Sequence, residues 1–274
     1  MYKKIILFTF ILSLLLIITS CSKQIPNGNN FNFDKLYYVS SVIDGDTIKI
    51  EDNGEQLSVR FIGIDTPETH SGDKPLGELG KDAYWFTRNS IYTKNFKKGY
   101  VYLDFDDNKY GNYNRLLAYV YYRDKDGKLH FLNKEILENG FARPLFYSDT
   151  SKHKSDFIEA YKKAFEERKG IFKYYDDPNR VIEDINLTDK DIGKIRNVKF
   201  KVSKVISSGS FYKIYSESNK FYISIRRDEY NSFFNKLNLY DLKEKYIMIY
   251  GEIWKENGVY EILARAEFEI KILE

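Results

Sequence analysis

Cysteine and histidine are scarce in this chain of 274 residues, which contains one cysteine and three histidines. A single cysteine excludes any disulfide bond within one molecule. His70, His130 and His153 show no metal-ligand spacing, which argues against a zinc site. The net charge is only +3, so the overall charge permits a nucleic-acid partner without arguing for one. The apolar fraction of 43% is enough to build a hydrophobic core in one large domain or two ordinary ones.

The N-terminus has the pattern of a bacterial lipoprotein signal. Lys3 and Lys4 precede an apolar run over residues 5–18, which is shorter than the roughly 20 residues that a membrane-spanning helix needs. Ile18-Thr19-Ser20-Cys21 looks like a lipobox, which predicts that Cys21 is the lipidation site. The alternatives are an ordinary signal peptide with an unrelated cysteine, or an uncleaved anchor. We therefore expect a protein that is exported and lipid-anchored to the bacterial cell membrane, facing outward.

Composition divides the rest of the chain into segments. Residues 22–35 are polar and indicate a tether, and residues 176–192 begin with the turn-rich Asp176-Asp177-Pro178-Asn179 and indicate a linker. These segments separate a first domain over residues 36–175 from a second over residues 193–274, after a signal peptide at residues 1–21.

The first domain is predicted to be mainly β with inserted helices. Strand-like runs cover residues 37–50, 57–64, 100–105 and 115–123, and helical spacing covers residues 77–91, 133–139 and 155–168. A domain that begins with strands and has its helices inserted late is typical of a five-stranded OB-type barrel within an α+β fold.

The second domain is also predicted to be rich in strands. The runs cover residues 198–207, 211–216, 220–226, 245–254 and 260–272, with a helix predicted at residues 228–237. This order is loosely similar to a second, OB-like barrel. Its aromatic and basic residues either form a stacking platform for nucleic acid or belong to an accessory barrel, and its nearly balanced charge favours the accessory role.

Ionisable residues concentrate between positions 44 and 68. Asp44-Gly45-Asp46-Thr47 is followed by Arg60 and then by Asp65-Thr66-Pro67-Glu68. Each motif by itself has an ordinary interpretation, a β-turn for the first and a helix N-terminus for the last. Together they supply what metal-assisted phosphodiester hydrolysis needs, namely carboxylates, a guanidinium and a candidate base.

The predicted metal ligands are the carboxylates of Asp46 and Asp65 and the backbone carbonyl of Thr66. Hard oxygen ligands completed by water suit Ca²⁺. Arg60 and Arg115 are candidate phosphate clamps, since a guanidinium keeps its charge and binds phosphate oxygens in a planar fork. The ordinary alternative for Arg60 is a salt bridge to Asp46 or Asp65, which is compatible with a functional role. Glu68 is the candidate general base.

These motifs resemble the staphylococcal (micrococcal) nuclease family, also called thermonuclease. The similarity covers about residues 37–173 and includes Arg60 and Asp65-Thr66-Pro67-Glu68-Thr69. It implies metal binding by Asp46, Asp65 and Thr66, catalytic roles for Arg60, Glu68 and Arg115, and cleavage that leaves 3′-phosphates.

The chain departs from the family pattern near Arg115. The family usually has Tyr-Gly-Arg before Leu-Ala-Tyr, whereas here extra residues separate Tyr110-Gly111 from Arg115. The tyrosine that contacts phosphate is therefore either Tyr113 or Tyr110. Phe146 and Tyr147 lie near the place where the family stacks a base, although core packing explains them equally well.

The sequence therefore supports two hypotheses. The first is a Ca²⁺-dependent nuclease, a monomer without a small-molecule cofactor, that hydrolyses DNA and RNA with low sequence specificity. The second is a non-catalytic lipoprotein that binds nucleic acid or protein through two OB-type domains. The complete set of Asp46, Arg60, Asp65, Glu68 and Arg115 favours the enzyme.

Overall fold

The first domain is a closed five-stranded barrel with helices packed around it. The computed structural model describes residues 35–70, 72, 74–111, 115–147, 152–234 and 236–273. The elements up to residue 166 are β1 (Tyr37–Val42), β2 (Thr47–Asp52), β3 (Glu55–Phe61), β4 (Ile64–Asp65), α1 (Gly80–Asn89), β5 (Tyr100–Asp104), β6 (Leu116–Arg123), β7 (Leu129–Phe131), α2 (Leu132–Glu138), β8 (Arg143–Pro144) and α3 (Lys154–Glu166). A π-helical turn, Ser90–Lys94, extends α1.

The barrel closes because a parallel pair of strands joins its two ends. Strands β1, β2 and β3 form an antiparallel meander, and β3 then pairs in parallel with β6, which returns through β5 to β1. Alternate apolar residues face inward, so Val39, Ile48, Val59, Val101 and Val120 are all fully buried. The predicted OB-type fold of the first domain is confirmed.

The run predicted as one β-rich segment over residues 37–50 forms two strands. The chain turns at Asp44-Gly45-Asp46, where the backbone amide of Asp46 donates to Asp44 Oδ1 at 3.0 Å. This turn places Asp46 at one end of the barrel, beside the last residue of β3.

The second domain repeats the same strand order. Its elements, with the segment before it, are β9 (Val181–Glu183), β10 (Ile195–Ser208), β11 (Phe211–Ser216), β12 (Phe221–Arg226), α4 (Arg227–Phe233), β13 (Tyr246–Glu252), β14 (Trp254–Glu256), β15 (Val259–Ala264) and β16 (Ile270–Ile272). Strands β10, β11 and β12 form a meander, α4 follows the third strand, and β12 pairs in parallel with β15. Strand β13 lies against β10 and next to β15.

The single strand predicted over residues 260–272 is wrong, because the structure breaks it after Ala264. The Glu269 carboxylate accepts hydrogen bonds from the backbone amides of Arg265 and Ala266, at 2.6 and 3.3 Å. These side-chain bonds replace ladder bonds and produce a 3₁₀ turn, Glu267–Glu269. As a result, Arg265 lies at a corner of the second barrel, facing the first.

From residue 35 onward the described chain forms one compact unit. The predicted linker is ordered in part, since β9 adds to β10 in parallel. Buried pairs join the barrels, including Arg143 Nη1 to Glu252 Oε2 at 3.0 Å and the Tyr161 hydroxyl to Glu269. The exact domain boundaries stay a prediction. Among the described residues, no helix has the length and apolar character needed to cross a bilayer.

Asn133 links the barrel wall to the segment that leads into the predicted site. Its side chain is fully buried, accepts from the Val120 amide at 2.9 Å and donates to the Ile62 carbonyl at 2.9 Å. Removing the side chain takes this partner from both backbone groups, so the asparagine holds Ile62 and the following β4 against β6.

We therefore expect Asn133→Ala to lower the free energy of unfolding by about 2–6 kcal/mol, since each of the two buried groups that loses its partner costs roughly 1–3 kcal/mol. Urea denaturation measures the change. Asn231→Ala is the matched control, because Asn231 is exposed on α4 and its loss should change stability by no more than about 0.5 kcal/mol. Equal effects of the two substitutions would contradict this account of Asn133.

Candidate active site

One arginine holds two buried carboxylates at the end of the first barrel. Arg60 Nη1 lies 2.8 Å from Asp46 Oδ1, and Arg60 Nη2 lies 3.0 Å from Asp65 Oδ1. Its Nη1 also donates to the Ile64 carbonyl at 3.0 Å. The ion pair considered in the sequence analysis is therefore present with both aspartates. Because the guanidinium is planar and rigid, it fixes the separation of Asp46 and Asp65.

The two acidic motifs are also tied together directly. Asp46 Oδ2 accepts from the Thr66 amide at 2.6 Å and from the Thr66 hydroxyl at 2.9 Å. Asp46 belongs to the turn before β2, whereas Thr66 follows β4, so two segments 20 residues apart share one carboxylate. Asp46 and Thr66 are 4% and 5% exposed, so these bonds are shielded from water.

Asp65 is surrounded by three cations. Its Oδ1 accepts from Arg60 and from Lys74 Nζ at 2.8 Å, and its Oδ2 lies 3.1 Å from Arg265 Nη2. Burial by itself would raise the pKa of Asp65. The charges of Lys74, Arg265 and Arg60 outweigh burial and hold that pKa well below its usual range. Asp65 therefore stays ionised at neutral pH.

Asp44 is in the opposite situation. Burial, with a further contribution from the neighbouring Asp46 charge, raises the pKa of Asp44 to about 8, although Arg60 opposes the shift. Asp44 also supports the turn, because its side chain accepts a hydrogen bond from the Asp46 amide.

Glu68 lies at the start of a loop, residues 69–79, that is held at both ends. Its Oε1 is 3.3 Å from Lys74 Nζ, and its side chain is 31% exposed. Its carbonyl accepts from the Gly77 amide at 3.1 Å. A methyl group at Gly80 would lie 2.2 Å from the same carbonyl oxygen, so only glycine allows α1 to begin this close to Glu68.

The far end of the loop is attached to residues beyond the first barrel. Glu78 Oε2 accepts from Arg180 Nη1 at 2.8 Å and from the Ile195 amide at 3.0 Å. The Glu78 amide donates to the Gly193 carbonyl at 2.9 Å. The second half of the chain therefore helps to hold the loop that carries Lys74.

Parallel pairing of β3 with β6 brings the second clamp candidate to the same place. Arg60 is paired with Leu117, so Arg115, which immediately precedes β6, lies at the same end of the barrel. A cavity of about 890 Å³ opens there. Its walls include the following predicted site residues: Asp46, Arg60, Asp65, Glu68, Tyr110, Arg115 and Tyr147.

The predicted substrate-binding aromatics differ in their placement. Tyr110 and Tyr147 are 59% and 48% exposed at the cavity, and the Arg226 guanidinium lies 5.5 Å from the centre of the Tyr147 ring. Phe146 is 1% exposed and stacks at 5.8 Å on Phe233, so the structure favours core packing for it. Tyr113 and Cys21 lie outside the described residues.

Sequence reasoning missed Lys74 and Arg265. Lys74 lies in the loop of residues 69–79 and belongs to none of the motifs described above. Arg265 stands in Ala264-Arg265-Ala266, between small apolar residues. A charge in an apolar run is expensive to bury without a partner, and this signal would have identified Arg265.

The donor set fits a hard divalent cation. Both aspartate carboxylates are buried beside the cavity, and oxygen is the only ligand type that Asp46, Asp65 and Thr66 offer. In the part of the chain that the structure describes, no group of three or more histidine, cysteine, aspartate or glutamate residues could hold a metal ion. A site built here would therefore rely on backbone and water oxygens besides the two carboxylates, which is usual for Ca²⁺.

Comparison with known proteins agrees with this geometry. Residues 58–174 match the family described as staphylococcal nuclease homologue. The chain is 34% identical to the thermonuclease of Staphylococcus hyicus over 151 residues, which is 55% of this chain and 81% of that protein. It is 35% identical to the thermonuclease of Staphylococcus intermedius over 50% of this chain and 76% of that protein.

A Bacillus subtilis relative named endonuclease YncB is 35% identical over 117 residues, which is 42% of this chain and 51% of that protein. The residues that match the family include Arg60, Asp65, Glu68 and Arg115, all of which line the cavity. The chain therefore belongs to the staphylococcal nuclease family, and its relatives support an enzyme that hydrolyses phosphodiester bonds in nucleic acid.

Proposed function

We propose that this protein is a Ca²⁺-dependent nuclease that hydrolyses DNA and RNA with low sequence specificity and leaves 3′-phosphate products. The observation that carries the proposal is the convergence of Asp46, Arg60, Asp65, Glu68 and Arg115 on one cavity. These residues come from four separate stretches of the sequence. A binding module without catalysis would need neither the paired carboxylates nor the base.

Asp46 and Asp65, with the carbonyl of Thr66, would hold the ion. When bound, Ca²⁺ supplies polarisation of a phosphoryl oxygen and lowers the pKa of a bound water. Arg60 keeps the two carboxylates at a fixed separation, which supports metal binding besides any direct contact with phosphate.

The arginines act on the charge that develops during attack. In phosphoryl transfer, negative charge spreads over the equatorial oxygens, and donors fixed in advance stabilise this state more than the ground state. Arg115 is a wall residue of the cavity and serves as the second clamp. Glu68 is partly exposed and close to the cavity, so it can accept a proton from the attacking water.

Low specificity follows from the chemistry of the cavity. Its charged residues contact phosphate, which carries no sequence information, and Tyr110 and Tyr147 offer rings on which any base can stack. Affinity for substrate should therefore fall as salt concentration rises.

The first test is digestion of single-stranded DNA, duplex DNA and RNA by the chain from residue 22 onward. We expect cleavage with Ca²⁺, none with a chelator, and 3′-phosphate ends. Glu68→Gln should lower the rate by about 10²–10⁴-fold, the usual contribution of a general base. Arg115→Ala should lower it by about 10²–10³-fold, because a fixed donor to the transition state is lost.

Arg123→Ala is the control for the arginine substitution, since Arg123 lies at the opposite end of β6 and contacts the Gly127 carbonyl. Binding of DNA by the wild type without cleavage would contradict the enzymatic proposal. It would favour a non-catalytic nucleic-acid-binding lipoprotein instead.

A second prediction concerns the position of Glu68. Gly80→Ala adds a methyl group that must displace the Glu68 carbonyl, so we expect cleavage to fall at least about tenfold, as small misplacements of catalytic groups cost up to about 10²-fold. Asp82→Ala is the control on the same helix, because Asp82 is exposed in the first turn of α1 and does not line the cavity. Equal activity of the two variants would show that the placement of Glu68 is not limiting.

We also propose that the nuclease is tethered to the outer side of the cell membrane through a lipid on Cys21. The support is the charged start, the short apolar run and the lipobox-like Ile18-Thr19-Ser20-Cys21. We expect the full-length protein to fractionate with membranes and Cys21→Ser to lose a lipid label and appear in the soluble fraction. An unlabelled wild-type protein would rule out the anchor.

A further inference from the structure

Arg265 connects the second barrel to a predicted metal ligand of the first. It follows the end of β15 and is 2% exposed. Its Nη2 lies 3.1 Å from Asp65 Oδ2, and its Nη1 lies 3.0 Å from Oε1 of the fully buried Glu229. One guanidinium thus bridges two carboxylates that are 164 residues apart by their numbers, one in each barrel.

Hydrogen bonds hold both Glu229 and the backbone of Arg265 in place. Glu229 lies on α4, and its Oε1 also accepts from the Phe146 amide at 3.4 Å. The Arg265 amide donates to Glu269 Oε2 at 2.6 Å, and Glu269 in turn accepts from the Tyr161 hydroxyl of α3. The guanidinium is therefore held by its own backbone and by Glu229 before it reaches Asp65.

Arg265 contacts the carboxylate oxygen of Asp65 that neither Arg60 nor Lys74 contacts. Those two cations both contact Oδ1, whereas Arg265 contacts Oδ2. If only Oδ1 had partners, the carboxylate could still rotate about the Cβ–Cγ bond of Asp65. A third contact on the other oxygen fixes the plane of the carboxylate and therefore the direction of its remaining lone pair.

We propose that Arg265 is a positioning residue for the Asp65 carboxylate, so that the second barrel forms part of the nuclease site. The inference rests on the proposed function, in which Asp65 binds the cation. It gives residues 193–274 a role in metal binding that the first barrel cannot supply by itself.

The alternative is that Arg265 acts only through its charge. A cation next to a metal ligand repels the metal, so removing a charge that has no positioning role would tighten metal binding. Removing a positioning residue would weaken it. Lysine separates the two roles, because it keeps the charge but cannot donate to both carboxylates in a fixed planar fork.

The test uses the chain from residue 22 onward and two variants. Arg265→Lys keeps the charge. Arg265→Met combined with Glu229→Gln removes both members of the buried pair, so that no uncompensated charge remains to unfold the protein. The control combines Arg196→Met with Asp191→Asn, an ion pair at 3.2 Å whose residues do not line the cavity. Circular dichroism on heating checks that each variant folds.

Metal binding is measured without substrate, by Tb³⁺ luminescence and its displacement by Ca²⁺. We expect both Arg265 variants to bind about 10- to 100-fold more weakly, the usual effect of losing a group that orients a metal ligand. The Ca²⁺ concentration for half-maximal cleavage should rise by a similar factor, while the rate at saturating Ca²⁺ falls less. The control variant should have the Tb³⁺ affinity and the Ca²⁺ dependence of cleavage of the wild type.

A folded double variant that binds Tb³⁺ as tightly as the wild type or more tightly would overturn the inference, as would a lysine variant that behaves like the wild type. In either case the wild type would still bind the ion and cleave, so the proposed function would stand. A wild type that neither binds Tb³⁺ nor cleaves would overturn the proposed function, and this inference with it.

Discussion

The site depends on the buried guanidinium of Arg60 between Asp46 and Asp65. Two carboxylates this close repel each other, and burial makes the repulsion stronger. A fixed cation between them makes the arrangement stable and sets their separation at the same time. Asp46 then bonds Thr66, so the turn before β2 and the segment after β4 cannot move independently. The geometry of the two carboxylates is thus a consequence of one ion-pair network.

The second barrel extends that network. Like the first, it begins with a three-stranded meander whose third strand pairs in parallel with a later one, β3 with β6 in the first barrel and β12 with β15 in the second. Nevertheless, the two barrels contribute differently. The first supplies the acidic residues and two arginines, Arg60 and Arg115, to the cavity wall. The second supplies Arg265 to Asp65 and holds the end of the loop at Glu78. Shared topology therefore does not imply shared chemistry.

Most of the fold was predictable from local patterns. The alternation around Val59 and the exact range of β11 followed from period-two hydrophobicity, and the chemistry at Asp46, Arg60, Asp65, Glu68 and Arg115 followed from residue type and motif. The break after Ala264 was missed, because an apolar run hides a turn that Glu269 makes by bonding two backbone amides. The hydrophobic pattern does not show that a side chain competes with the strand ladder for backbone amides.

By itself, the sequence determined which groups carry charge, which strands form, and that a set of acids and arginines suited to phosphodiester chemistry is complete. Only the tertiary structure decided which of these groups meet. Arg60 and Arg115 become neighbours through a parallel strand pair, and Arg265 reaches Asp65 across the contact between two barrels. The reason is physical: a buried charge is stable only beside its partner, and the partner is chosen by how distant segments pack rather than by their spacing along the chain.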